Sequence, residues 1–127
     1  MVLFDTDVMI DLLRSHPPAL RWAKTMAVQD VVLPGLVALE LVQGCKNKVE
    51  LDKVERALQR YQVAWPSPTA CDRALQLYIQ HRLSQGLSIF DALVGQMAVD
   101  LNLPLYTFNQ RHYALVPNLQ IVQPYQR

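Results

Sequence analysis

An α/β domain on a parallel sheet is predicted by two features of the chain: short apolar runs alternating with longer segments of helical period, and proline or glycine signals where one gives way to the other. The apolar runs fall at residues 2–5, 31–33, 61–65, 105–107 and 119–122. A chain of 127 residues has the size of one domain, residues 1–127, able to bury roughly two-thirds of the surface it exposes when unfolded. No repeat, low-complexity stretch or linker interrupts it.

The elements follow in order. The first run, Val2-Leu3-Phe4, ends in Asp5 and passes directly into a helical segment, "TDVMIDLL". Pro17-Pro18 ends that helix and starts a second, because proline is accommodated in a first turn and not in a helix interior. Pro34-Gly35 separates the second strand from the segment 36–43. Leu51, Val54 and Leu58 recur at intervals of three and four, as do Cys71, Leu75, Tyr78, Ile79 and Leu83, which predicts two amphipathic scaffold helices. Pro66 and Pro68 precede the longer of these, Ser84-Gln85-Gly86 closes it, and Ser88 caps the next.

Composition excludes several classes. Cys45 and Cys71 form neither a CxxC pair nor a Cys/His cluster, so neither a disulfide framework nor a zinc site is indicated and two free thiols of a reducing cytoplasm are expected. Acids at positions 5, 7 and 11 stand where a secretory signal has a basic start and an apolar stretch. The longest uncharged apolar run, residues 31–39, contains Pro34 and Gly35 and is far short of the ~20 residues that span a bilayer, so a soluble protein is expected. A net charge of +1 is not the footprint of bulk electrostatic binding to nucleic acid. Local contact through Arg14, Arg21, Lys46, Lys48 or Arg111 stays open, beside the simpler reading of scattered surface bases.

Three acids stand in unusual company. Glu40 lies in "PGLVALELVQG", where its neighbours from Leu36 to Val42 are all apolar; such a helix is expected to be surrounded by protein. A buried carboxylate takes a proton, a partner or a metal, unless Glu40 reaches the surface beside Gln43 or meets an arginine. Asp91 in "LSIFDALVGQMAVDL" fits a capping box with Ser88, and that role does not preclude ligation. Asp5 is harder to explain, because Thr6 or Asp7 could cap the helix that follows. Asp7 and Asp11 read as a cap or first-turn acid and a solvent-facing residue, with no chemistry assigned.

Loops after parallel strands gather on one edge of the sheet, so Asp5, Glu40, Asp91 and Asn109 are expected near a common crevice. Like charges 4 Å apart repel by roughly 4 kcal/mol at an effective dielectric near 20, and three converging acids need a counter-charge. No lysine follows Lys53 and no arginine adjoins the acids in sequence. A divalent cation answers the need, and oxygen ligands favour Mg²⁺ or Mn²⁺ over zinc.

With those residues in view, the chain resembles a PIN-domain ribonuclease, specifically a VapC-type toxin of a toxin–antitoxin pair. The resemblance is carried by "LFDTDVMIDLL", "LVALELVQG", "LSIFDALVGQMAVDLNLPLYTFNQRHY" and "VPNLQIVQP", and spans essentially the whole chain. It implies a three-layer fold, a central parallel sheet of about five strands with helices on both faces. It also implies metal-binding acids at Asp5, Glu40 and Asp91, a fourth site position at Asn109, and supporting hydroxyls at Thr6 and Thr107. Many PIN domains carry aspartate at the fourth position, whereas the threonine-x-asparagine form is familiar among VapC-like sequences. The implied activity is Mg²⁺-dependent cleavage of RNA by metal-activated water. The implied partners are a VapB-like antitoxin whose tail enters the catalytic groove and a second copy of the chain.

Two rival readings are weaker. "FDTDV" is also similar to the DxD start of haloacid-dehalogenase-type phosphatases, but the later lysine and acidic pair such enzymes need are missing, as is the closing lysine of a response-regulator receiver. The rival from another class is a PIN-like module that binds RNA or protein without cutting, for which the neutral Asn109 is the motive. His16, His81 and His112 lack a triad-like setting, and His112 in "NQRHY" reads as a packing or hydrogen-bonding residue.

Overall fold

The computed structural model describes all residues from Met1 to Arg127. Five parallel strands form one sheet, in the order β3-β2-β1-β4-β5. They are β1 (Val2–Phe4), β2 (Val31–Pro34), β3 (Gln62–Ala64), β4 (Leu105–Tyr106) and β5 (Ile121–Val122). All five predicted strands are present, each shorter than or close to its apolar run. Seven helices complete a three-layer α/β fold: α1 (Thr6–Leu13), α2 (Pro17–Ala23), α3 (Gly35–Gln43), α4 (Lys48–Leu58), α5 (Pro68–Gln85), α6 (Ile89–Leu101) and α7 (Gln110–Tyr113). No helix is long and apolar enough to cross a membrane.

The central strand decides where a site can form. β1 pairs with β2 on one side, Leu3 opposite Val32, and with β4 on the other, Leu3 opposite Leu105. The chain therefore winds outward from β1 in both directions, and such a switch point leaves a crevice at the carboxyl ends of the strands. Leu3, Leu33 and Leu105 have no exposed surface and anchor a core that also includes Val8, Val37, Val94, Met97 and Tyr113. Burial on this scale is the main stabilising term, about 1.5–3 kcal/mol for each large side chain fully removed from water.

Local chemistry sets the boundaries as the sequence implies. Asn47 caps α4, Ser67 caps α5 ahead of Pro68, and Ser88 caps α6, each side-chain oxygen accepting from the amide three residues on. Gly86 ends α5 at φ 66°, a left-handed conformation that residues with a Cβ seldom adopt. Gly35 opens α3 under the ring of Trp65, where a Cβ would stand 2.5 Å from ring carbons.

Two expectations fail on packing. The stripe of α5 read from Cys71, Leu75, Tyr78, Ile79 and Leu83 is not its core face. Ala70, Ala74 and Leu77 are buried instead, while Leu75, Ile79 and Leu83 are 54, 63 and 96% exposed. Small alanines let α5 lie close along α6, and the larger residues fall at the margin of that seam or outside it, Leu75 and Tyr78 lining an apolar groove with Ile89 and Leu93 of α6; a pattern built on size misses a seam built on alanine. Nor is α3 enclosed all round, since Leu39 and Val42 are exposed.

The corrected face has a measurable consequence. Leu77→Ala should lower unfolding stability by about 2–5 kcal/mol, as large-to-small changes in a core do. Leu75→Ala and Leu83→Ala should each stay within about 0.5 kcal/mol. Urea denaturation of the three variants checks this, and the reverse ranking would restore the stripe as the core face.

Candidate active site

Asp5 follows β1 and is only 5% exposed. It is itself the N-cap of α1, displacing the expectation that Thr6 or Asp7 would serve: Oδ1 accepts from the Thr6 amide at 2.8 Å. Capping occupies one carboxylate oxygen. The other, Oδ2, accepts the hydroxyl of Thr107 at 2.8 Å, across the β1–β4 pairing. Thr107 is fully buried and in turn accepts from the Asn109 amide at 3.0 Å. One threonine hydroxyl thus joins the first acid to the loop that carries the fourth predicted position.

Asp91 is held by that loop and by α7. Its amide donates to Ser88 Oγ at 3.0 Å, which is half of the predicted capping box. The carboxylate does not complete the box; it turns forward to Asn109 Nδ2, 2.9 Å from Oδ2, and to the Tyr113 hydroxyl, 3.2 Å from Oδ1. His112 Nδ1 lies 3.5 Å from the same Oδ2, a neighbour of Asp91 and not one of the hydrogen bonds that hold it. Tyr113 was not singled out in the sequence. The only available signal is its spacing, four residues after Asn109 and one helical turn on.

Glu40 comes from α3 and is half-buried. Thr6, the residue next to Asp5, donates its hydroxyl to Glu40 Oε1 at 2.9 Å. The three predicted acids and both predicted hydroxyls therefore belong to one hydrogen-bonded set: Glu40 to Thr6, Thr6 to Asp5, Asp5 to Thr107, Thr107 to Asn109 and Asn109 to Asp91.

Two acids behave differently from their sequence reading. Asp7 is a first-turn residue of α1 as expected, yet Oδ2 accepts from the Phe108 amide at 2.9 Å and lies 3.3 Å from Thr107 Oγ1. Asp5 and Asp7 thus compete for a single hydroxyl proton. Asp11 is not solvent-facing: it is 8% exposed, because residues 123–127 fold back over α1 and bring Tyr125 and Arg127 onto it. That contact is invisible in sequence, since its partners are more than a hundred positions away.

Electrostatics follow from this crowding. Burial, and then the charge of Asp7, push Asp5 up to about 7, with Asp91 adding to the effect. Burial also raises Asp7. Glu40 is raised by burial, partly offset by the Thr6 hydroxyl, with Asp91 and Asp7 contributing repulsion. No lysine or arginine forms an ion pair with Asp5, Glu40 or Asp91. Asp5 and Glu40 each feel the charges of Asp7 and Asp91, which is the electrostatic sign of convergence on one edge. In their present arrangement no three His, Cys, Asp or Glu side chains stand close enough to enclose a metal ion. Beside Glu40, a cleft of about 340 Å³ opens between α1, α3 and α4, with Arg14, Lys46 and Lys53 among its walls.

Comparison with known proteins agrees with this architecture. The toxin–antitoxin complex from Klebsiella pneumoniae superposes with a TM-score of 0.79 at 24% identity, over 100% of both chains. FitAcB from Neisseria gonorrhoeae gives 0.77 at 17% identity over 98% of each chain. VapC20 from Mycobacterium tuberculosis, described as a sarcin-ricin loop cleaving toxin, gives 0.71 at 17% identity over 90% of this chain and 94% of its own. At these identities the likeness is one of fold. No curated protein matches in sequence. The family model for the PIN domain matches residues 2–116, which include the whole hydrogen-bonded set from Asp5 to Asn109, and the chain therefore belongs to the PIN domain family.

Proposed function

We propose that this protein is a metal-dependent endoribonuclease, the VapC-type toxin of a toxin–antitoxin pair. One observation carries the proposal: Asp5, Glu40 and Asp91, from segments far apart in sequence, meet through a single hydrogen-bonded set with no lysine or arginine paired to them. Family membership and neighbours solved as toxin–antitoxin complexes support it.

The donor set fits a hard divalent cation. All three groups offer carboxylate oxygens, two of them raised by burial, and Asn109 orients Asp91 by donating its amide nitrogen to it. Asp5, Glu40 and Asp91 would hold Mg²⁺, or Mn²⁺, by drawing together from their present spacing. When bound, such an ion supplies Lewis-acid polarisation of a phosphodiester and a more acidic water. The remaining work belongs to the chain. Thr107 and the α1 amide fix the Asp5 carboxylate, Thr6 fixes Glu40, and Asn109 with Tyr113 grips both oxygens of Asp91. Held in this way, each carboxylate keeps its own orientation, and what remains on meeting a cation is to close the distance between the segments that carry them. A VapB-like antitoxin that covers this crevice accounts for control of the activity in the cytoplasm. The exposed apolar residues of α5 and α6, among them Leu75, Ile79 and Ile89, offer a face for a second copy in a homodimer.

The second reading, a PIN-like module that binds RNA or protein without cutting, is favoured by the absence of a ready-made three-ligand cage and by the neutral Asn109. Isothermal titration with Mn²⁺ and a gel assay on total RNA separate the two. The nuclease binds the ion, and Asp5→Asn or Asp91→Asn lowers cleavage by roughly a hundredfold or more. Wild-type protein that binds RNA yet cuts none at saturating Mn²⁺ would favour the module.

The buried acids also predict a pH dependence in the metal-free protein. Asp5 has its carboxyl at about 7 when folded against an ordinary 3.8, so the folded state binds the extra proton between those values. Stability from this group is therefore full below about pH 4 and lost as pH rises toward 7, with a slope of up to about 1.4 kcal/mol per pH unit. Asp7 and Glu40, also raised, act in the same direction; Asp11, lowered by its Arg127 contact, acts oppositely. In EDTA the melting temperature should fall between pH 4 and 7.5. Asp5→Asn should flatten the fall and melt above wild type at pH 7.5. Parallel wild-type and variant profiles would show that Asp5 is not a buried, uncompensated acid.

A further inference from the structure

The segment that follows β5 does more than end the sheet. It crosses α1 and delivers two donors to Asp11: the Tyr125 hydroxyl reaches Oδ2 at 2.7 Å, and Arg127 forks onto both oxygens, Nε to Oδ2 at 2.9 Å and Nη2 to Oδ1 at 3.0 Å. A bidentate guanidinium–carboxylate pair is among the stronger and more directional polar contacts, more so with the Asp11 side chain only 12% exposed. The Arg127 side chain is itself 46% exposed, so the pair alone would be an unremarkable surface bridge.

What the cation covers makes it more than that. The guanidinium carbon sits 4.4 Å from the centre of the Phe108 ring, and Tyr125 meets the same ring edge-on at 4.9 Å. Trp22, at 5.4 Å from Tyr125, backs this aromatic group from α2. Phe108 stands between Thr107, which holds Asp5, and Asn109, which holds Asp91. Its backbone amide is bound by Asp7, whose carboxylate also feels the charge of Arg127. A single guanidinium therefore contacts α1 and the loop that supports two of the acids.

We propose that Arg127 is a positioning residue for the acidic site: by clamping the Phe108 ring onto Asp11, it holds the Thr107–Asn109 segment in the register that orients Asp5 and Asp91. Tyr125 assists by closing the edge of the same ring. The effect on cleavage rests on the nuclease reading; the effect on the loop does not.

Two measurements on the full chain keep those apart. Native-state hydrogen exchange of Arg127→Ala should show the Phe108 and Asn109 amides exchanging about tenfold faster or more, while Leu3 and Leu33 in the central strands keep wild-type rates. Arg127→Lys keeps a cation over the ring and loses the fork, and should fall between the two. Tyr125→Phe, which removes one hydrogen bond to Asp11, should move the same two amides to a smaller extent and serves if the alanine variant does not fold. In RNA cleavage, Arg127→Ala should lower kcat by roughly tenfold with KM within about twofold, because misplacement of catalytic groups reduces turnover more than binding. Unchanged exchange at Phe108 and Asn109, or acceleration spread equally through the sheet, overturns the proposal. An inactive wild type with localised acceleration in the variant leaves the clamp standing and refutes the nuclease reading.

Discussion

The structure turns on one carboxylate, Asp5, sealed from water at the end of the central strand without a lysine or arginine against it. Both of its oxygens are occupied, one by the first amide of α1 and one by Thr107. Those bonds orient the group and soften its burial, yet they do not neutralise it, and Asp7 and Asp91 worsen its position. A protein that keeps such a residue retains a destabilising feature in its resting state. Strain of this kind concentrates where function requires it.

The fold makes that placement hard to avoid. In a parallel sheet that winds outward from its middle strand, every strand ends on the same edge, and β1 and β4 end side by side. Asp5 and Thr107 are the residues immediately beyond those two strands. Helices α3 and α6 then start from the same edge or pass beside it, which brings Glu40 and Asp91 within reach. Short side chains suffice because the backbone has already carried them close, and threonine, with a hydroxyl on a stiff β-branched stem, transmits that closeness without much rotamer loss.

Support for the site comes from the outside of the sheet as well. Phe4, Trp22, Tyr106, Tyr125 and Phe108 form a run of ring contacts from β1 to the residues after β5, with centroids 4.9–6.1 Å apart along it. The run ends in Phe108, beside the loop that holds the acids, and Tyr125 within it reaches Asp11 of α1 with its hydroxyl. Asp11 belongs to this support rather than to the solvent. Buried against a tyrosine and an arginine, it is the one acid of α1 whose charge is matched, in contrast to Asp5 and Asp7.

Much of this was legible in the order of residues. Apolar runs located all five strands, proline and glycine marked the helix ends, and acids among leucines and valines flagged Asp5, Glu40 and Asp91, because local propensity and burial cost act on single residues and their near neighbours. The core face of α5, the enclosure of α3 and the surroundings of Asp7, Asp11 and Tyr113 were not legible. Each depends on which partner packs against an element, and alanine seams or a returning segment leave no periodic trace. By itself, then, the sequence determined the five strands to within a residue or two, the principal helices and the identity of the misplaced acids, while the short helix α7 carried no signal of its own. Only the tertiary structure decided that Thr107 bridges Asp5 to Asn109 and that Arg127 lies over Phe108, since contacts across a hundred residues arise from sheet order and packing, not from any local signal.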